Sequence, residues 1–313
     1  MKRAVLLAAA AVWAAVAGWV QGAWGQDRDK LALRVCMQQN DPPLSMRIDG
    51  KPGGFDVALL GVIAERLGRA VQVQWFVSRD DPDSDLPRDA NALLSDGKCL
   101  LVAEYPLTRN TLEQPRSPVV KLPPFEGATT DDRSRWIRTG GLAATRPYRL
   151  DTLAVVLPAR DAGREVHRLA DLDGLRIGVQ IATLADAVAM QYGGGRLDQH
   201  VVHLPDAREV FGALQRGAVD AAFVELRSFD AWRLRHGSGG LFLSSYRHSI
   251  GFNMGFVGLA SNAALIGQVD AVLGELQAQG VISSLASENG VTFIPPRSPA
   301  VAADVQRAAL GGD

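Results

Sequence analysis

An excess of charge of either sign is missing from this sequence: 33 Lys and Arg stand against 34 Asp and Glu, a formal net charge of −1. Nothing in that balance offers an electrostatic grip on nucleic acid or on an anionic membrane. Beyond residue 20 no apolar run approaches the roughly 17–25 residues that a spanning helix needs, so a soluble chain without stable membrane insertion is expected. No Gly-x-Ser-x-Gly elbow, His-Glu-x-x-His pair or dinucleotide fingerprint occurs. Gly193-Gly194-Gly195 lacks the helix start of a phosphate loop and reads as a turn. His200 and His203 lie three apart on a strand pattern and so face opposite sides, which argues against a shared metal ion. Cysteine is scarce, at two residues, and neither lies near the N-terminus, so a lipid anchor is not expected.

What is present begins with an address. Lys2 and Arg3 precede an uncharged run from Ala4 to Val20, and Ala23-Trp24-Gly25 supplies small residues where cleavage is expected. This is the pattern of a secretory signal peptide, residues 1–25, with a periplasmic product. The remaining chain is long enough for two ordinary domains.

The mature chain then alternates strands and helices. Leu31 to Cys36 is a short apolar run, Asn40-Asp41-Pro42-Pro43 stops it, and a Gly-rich turn leads into a helical pattern from Gly54-Phe55-Asp56-Val57 to Leu67. Val71 to Phe76 alternates as a strand, Ala90 to Leu94 as a short helix, and Cys99 to Ala103 as a buried strand. Thr152 to Leu157, Leu175 to Val179, Val201 to Leu204 and Val219 to Val224 continue the series, with helices near 184–192 and 207–216 between them. Phe252 to Leu259 reads as a return strand and Leu265 to Gln279 as a closing helix ended by Gly280. Such alternation predicts an α/β fold with parallel sheets, whose ligands bind beyond the carboxyl ends of the strands. From Pro295 the chain is rich in Pro and Ala and is expected to be disordered.

Cys36 and Cys99 fall on strands that a βαβ unit would make neighbours. In an oxidising periplasm a disulfide between them is favoured, the alternative being two buried free thiols.

In order along the chain, Gly54-Phe55-Asp56-Val57, the Leu93 to Cys99 element, Pro147-Tyr148, Leu172-Asp173-Gly174-Leu175-Arg176-Ile177-Gly178-Val179-Gln180, Gly217 to Ala222 and the closing helix before Gly280-Val281-Ile282 resemble the family 3 periplasmic solute-binding proteins. The resemblance implies the two-lobed type II fold with a hinge and an interlobe cleft. It divides the chain into a discontinuous first lobe, 26–150 and 249–294, and an inserted second lobe, 151–248. It also implies a non-enzymatic monomer that binds a small molecule and hands it to an ABC permease, with no cofactor. Glu225 alone supplies no acid–base pair.

The resemblance also marks candidate ligand contacts. Asn40 lies in the loop after the first strand. Tyr105, Thr108 and Tyr148 would flank the cleft, the alternative for each being hinge or core packing. Ala182-Thr183 stands where the family has a glycine-threonine pair opening the second lobe's helix, and the free N–H groups there attract anionic or polar groups; Thr183 as a plain N-cap is the other reading. Glu225 matches the family's second-lobe acid. The arginine that clamps an α-carboxylate is replaced by Leu112 or Glu113, with Arg109 nearby but out of register, so a standard amino acid is not the expected ligand.

Leu33-Arg34-Val35-Cys36, Gly97-Lys98-Cys99 and Thr145-Arg146-Pro147-Tyr148-Arg149 look more narrowly like the MxaJ/XoxJ-type accessories of quinoprotein dehydrogenases, which implies a periplasmic alcohol dehydrogenase as partner. The polar stretch 110–144 departs from both patterns. It carries Phe125, Arg133, Arg135, Trp136 and Arg138, and is expected to be a surface element that touches a partner or lids the cleft. Its removal is expected to leave folding intact.

Overall fold

A computed structural model describes residues 32–78, 85–113, 118–303 and 310–312. The expected signal peptide and most of the acid-rich loop near residue 80 lie outside the described residues.

Leu33–Gln38, buried at Leu33, Val35, Cys36 and Met37, pairs in parallel with Val71–Phe76 on one side and Leu101–Pro106 on the other. A strand covered on both faces can bury consecutive apolar residues, as Val35-Cys36-Met37 do, so strict alternation is lost there. Across the molecule, Ile177–Gln180 pairs in parallel with Val201–Leu204 and Ala221–Glu225. Two long antiparallel strands, Arg149–Pro158 and Leu241–Leu259, join these parallel sets into one continuous sheet. The expected return strand, Phe252 to Leu259, is the second half of the longer one.

Each parallel set has its own core. Leu33, Val35, Leu59, Ile63, Leu101, Tyr148 and Phe256 pack with Ile266, Val269, Leu273 and Leu276 of the closing helix Ala263–Ala278. Leu153, Val155, Ile177, Val179, Val188, Phe223 and Ile250 form part of the other. The change from one core to the other falls between Tyr148 and Leu153 on one crossing strand and between Ile250 and Phe256 on the other. Those two strands are thus the connection between two lobes.

Cys36 and Cys99 are joined by a disulfide with Cα atoms 5.6 Å apart. Both are buried, and they meet because Cys99 lies just before Leu101–Pro106, the strand that pairs with that of Cys36.

Two expectations are corrected. The stretch 110–144 is not confined to the surface. Val119–Lys121 and Trp136–Arg138 form a hairpin that buries Val120, Leu122 and Ile137 in the first lobe. Val77 N–H donates to the Pro124 carbonyl and Glu126 N–H to that of Trp75, so the segment covers the free edge of Val71–Phe76, an edge that would otherwise present unpaired backbone groups. Leu142–Ala144 pairs with the return strand. Of the exposed-looking residues, Trp136 is 63% exposed while Phe125 packs against the core.

The second correction is the tail. The Asn253 side-chain amide donates to the carbonyls of Arg297, Pro299 and Ala300, and its oxygen accepts from Arg297 N–H. Ala302 exchanges backbone hydrogen bonds with Leu107 and Arg109, and Leu310 packs on the second core. Composition argued for disorder, but a buried amide that needs partners holds this segment in place.

Candidate functional site

Leu33–Gln38 and Ala221–Glu225 end at the seam between the lobes, and the residues just past them form a cleft. The loop after Gln38 is shaped by its own hydrogen bonds. Asp41 N–H donates to the Ser45 carbonyl, and the Ser45 hydroxyl donates to the Gln38 carbonyl at 2.7 Å. Phe55 and Asp56, opening the helix Phe55–Arg66, donate their N–H groups to the carbonyls of Pro43 and Leu44. Two N–H groups that a helix start leaves unpaired are thereby satisfied without a side-chain cap. Gly54, at φ 103°, permits that approach. A Cβ there would sit 2.5 Å from the Leu44 oxygen.

A cavity of about 470 Å³ lies between the lobes. Much of its wall is apolar: Leu86, Leu153, Leu184, Ile250, Phe252 and Met254. Glu104, Asp151, Glu225 and Arg227 supply its charged end. A second cavity of about 380 Å³, reached past Asn40, Asp41 and Gln180, shares Gln38, Glu225 and Arg227 with the first.

A charge network runs from this wall inward, buried at Asp56, Glu104, Tyr148 and Arg149 and partly exposed at Asp41, Asp151, Glu225 and Arg227. Tyr148 O–H donates to Asp56 Oδ1 at 2.8 Å and accepts from Glu104 N–H at 3.0 Å. Arg149 grips the Glu104 carboxylate with Nε and Nη2, a two-point contact that a guanidinium makes well. Glu104 holds φ 59°, unusual for a residue with a side chain. Arg149 also lies 3.7 Å from Asp151, and Arg227 lies 3.6 Å from Asp41, 3.7 Å from Asp151 and 3.6 Å from Glu225.

Burial pushes the carboxyls of Asp41 and Glu225 upward, with Arg227 opposing it in both. Burial likewise raises Asp56, to about 7, against the opposing pull of Arg149 and the Tyr148 hydrogen bond. Tyr148 is raised as well, first by burial and then by Asp56.

The residues anticipated from sequence divide into two groups. Thr108 and Glu225 line the larger cavity, and Asn40, at φ 62°, and Glu225 line the smaller one. Tyr105, Arg109, Tyr148, Ala182 and Thr183 line neither. Tyr105 is buried and donates its hydroxyl to the Thr111 carbonyl. Tyr148 is the buried centre of the network above. Arg109 is exposed. Thr183 caps the helix Leu184–Gln191 by accepting from Asp186 N–H, and Ala182 N–H donates to the Asp186 carboxylate. The Ala182 N–H and the Thr183 hydroxyl, which also donates to the Gln180 carbonyl, are therefore already engaged. Thr108 too is a cap, for the short helix Arg109–Leu112.

Glu104, Asp151 and Arg227 were not anticipated. Glu104 is a charge inside the otherwise apolar strand Leu101–Pro106, and Arg149 and Asp151 flank Leu150 at the head of another. A charge in a buried strand is a legible signal, since it must be paired. Arg227 carried none.

No family model matches the sequence, and no curated protein does. Solved structures do. Substrate-binding domain 2 of GlnP from Lactococcus lactis, in an open conformation, superposes with a TM-score of 0.60 at 16% identity, over 83% of this chain and 95% of that one. The fold is that of a two-lobed periplasmic binding protein. Two further structures share this binding-protein fold. The second substrate-binding domain of a putative amino acid ABC transporter from Streptococcus pneumoniae gives a TM-score of 0.58 at 14% identity, over 82% and 98% of the two chains. A histidine kinase sensor domain with similarity to periplasmic binding proteins gives 0.53 at 16% identity, over 85% and 98%. At these identities the likeness establishes the binding-protein fold and its interlobe cleft, not a ligand.

Proposed function

We propose that the chain is a non-enzymatic periplasmic solute-binding protein, a monomer that closes two lobes, 26–150 with 249–294 and 151–248, on a small organic molecule for an ABC permease. The observation that carries this reading is the cavity of about 470 Å³ at the strand ends between the lobes, in the size range of small-molecule sites. Hinge closure about such a cleft is within the repertoire of two-lobed proteins. The permease as partner is taken from what the ABC transporter neighbour is.

The ligand is not a standard amino acid. A buried α-carboxylate needs a cation, and Leu112 and Glu113 occupy the expected place of the arginine. Arg149 is already matched to Glu104, Arg227 stands among three carboxylates, and Arg109 lines neither cavity. An unpaired buried charge is strongly unfavourable. Calorimetric titration with the common amino acids is expected to show no binding tighter than millimolar. Micromolar affinity for any one of them would refute this.

The narrower reading, an accessory of a quinoprotein alcohol dehydrogenase, rests on the cysteine pair and the Thr145 to Arg149 run. Of those residues, Tyr148 and Arg149 hold the buried network and the cysteines are bonded, while Arg146 stays exposed and pairs with Asp270. Most of that run is thus engaged within the chain, and the interlobe cavity makes solute binding the reading we favour.

A further inference from the structure

Arg227 is placed against its local electrostatics. It is the second residue of the helix Leu226–His236, at the positive end of the helix dipole, where a cation is disfavoured. Three carboxylates from three parts of the fold surround its guanidinium: Asp41 from the first-lobe loop, Asp151 from a crossing strand, and Glu225 from the second lobe. The three approaches are alike, 3.6–3.7 Å. Arg227 lines both cavities and stands between them. The only other guanidinium in the cluster, Arg149, is committed to Glu104 and reaches Asp151 at 3.7 Å.

We propose that Arg227 is a tethered occupant of the cleft, its guanidinium filling a cation seat built by Asp41, Asp151 and Glu225 and so joining the two lobes. Asp41, Glu104, Asp151 and Glu225 exceed Arg149 and Arg227 by two charges, so an anionic solute meets no unmatched cation here. A cationic solute finds its seat already taken from within. This goes beyond solute binding as such, because it assigns a role to a side chain whatever the transported molecule is. Burial raises both the Asp41 and the Glu225 carboxyls; Arg227 is the largest influence opposing it in each, with Arg149 adding to it at Asp41.

Emptying the seat creates a site that a free cation of the same shape can refill. The full-length mature protein and its Arg227→Ala variant are titrated with methylguanidinium by calorimetry at constant ionic strength, with sodium chloride as the blank. The variant is expected to bind methylguanidinium saturably and at least tenfold more tightly than the parent, and the double variant Arg227→Ala, Asp41→Asn to lose most of that gain. Equal binding by parent and variant, or none by a folded variant, would overturn the proposal. Gained binding that survives Asp41→Asn would place the cation elsewhere and overturn it too. If circular dichroism shows Arg227→Ala unfolded, Arg227→Met, which keeps the aliphatic stem, is titrated in its place under the same criteria.

Discussion

Asp56 is a carboxyl without exposed surface, with one oxygen on the Tyr148 hydroxyl and the other, Oδ2, without a hydrogen-bond partner. Its folded pKa of about 7 lies above the ordinary 3.8, so between those values the native state holds a proton that the unfolded chain has released. The stabilising contribution is therefore full below about pH 4 and is lost as pH rises through 7, a difference on the order of 4 kcal/mol. Asp56→Asn copies the protonated form and still accepts from Tyr148. Melting curves of both proteins from pH 4 to pH 8 are expected to show the variant gaining on the parent by several degrees as pH rises. A constant offset would mean that Asp56 does not titrate in this range. Glu104 differs in being gripped by Arg149, and it owes its place in the wall to that partner.

Among the elements, the hairpin of Val119–Lys121 and Trp136–Arg138 contributes more than its polar sequence suggests. Three buried aliphatic chains, Val120, Leu122 and Ile137, are worth about 1.5–3 kcal/mol each. Lys98 and Asp96 tie the same segment down through its Asp132 and Arg135. Replacing residues 114–140 by a short Gly-Ser bridge is expected to cost at least about 4 kcal/mol and lower the melting temperature by about 8 °C or more. An unchanged melting temperature would show the hairpin to be dispensable. The helix entry at Gly54 is equally strict, for a different reason: the Leu44 carbonyl occupies the space a Cβ would need.

At the scale of the molecule, four hydrophobic clusters, two to each lobe, share one sheet, and the crossing strands Arg149–Pro158 and Leu241–Leu259 carry the connection. The first lobe is further closed on itself by the disulfide, which spans 63 residues of sequence. Chain-entropy arguments give a loop of that length about 4 kcal/mol of stabilisation. Cys36→Ala with Cys99→Ala is expected to lower unfolding free energy by roughly that amount in urea titrations, and the parent in reductant should approach the double variant. A loss well under 1 kcal/mol would mean that the unfolded first lobe gains little freedom without the bond. The tail adds a second long-range tie, from Asn253 through Ala302 to Leu107.

Strand and helix order, the place of the cysteines and the run of the closing helix were legible in the sequence because each rests on local periodicity, which 3.6- and 2-residue spacings write directly into the chain. Asn40 stands in the loop after a strand, where an α/β sheet places its ligands, and Glu225 was marked by the resemblance; both line a cavity. What the tertiary structure alone decided was partnership. Tyr148 reads as a cleft or packing residue until its hydroxyl is seen bonded to Asp56, and Thr183 as a cap or a ligand contact until Asp186 N–H is found on its hydroxyl. The polar stretch 110–144 reads as surface until it meets the open edge of a sheet that the sequence does not show to be open. Arg227 is one more arginine on a helix until Asp41, Asp151 and Glu225, far apart along the chain, close around it. Pairing of buried charge depends on which elements the fold brings together, and periodicity carries no record of that.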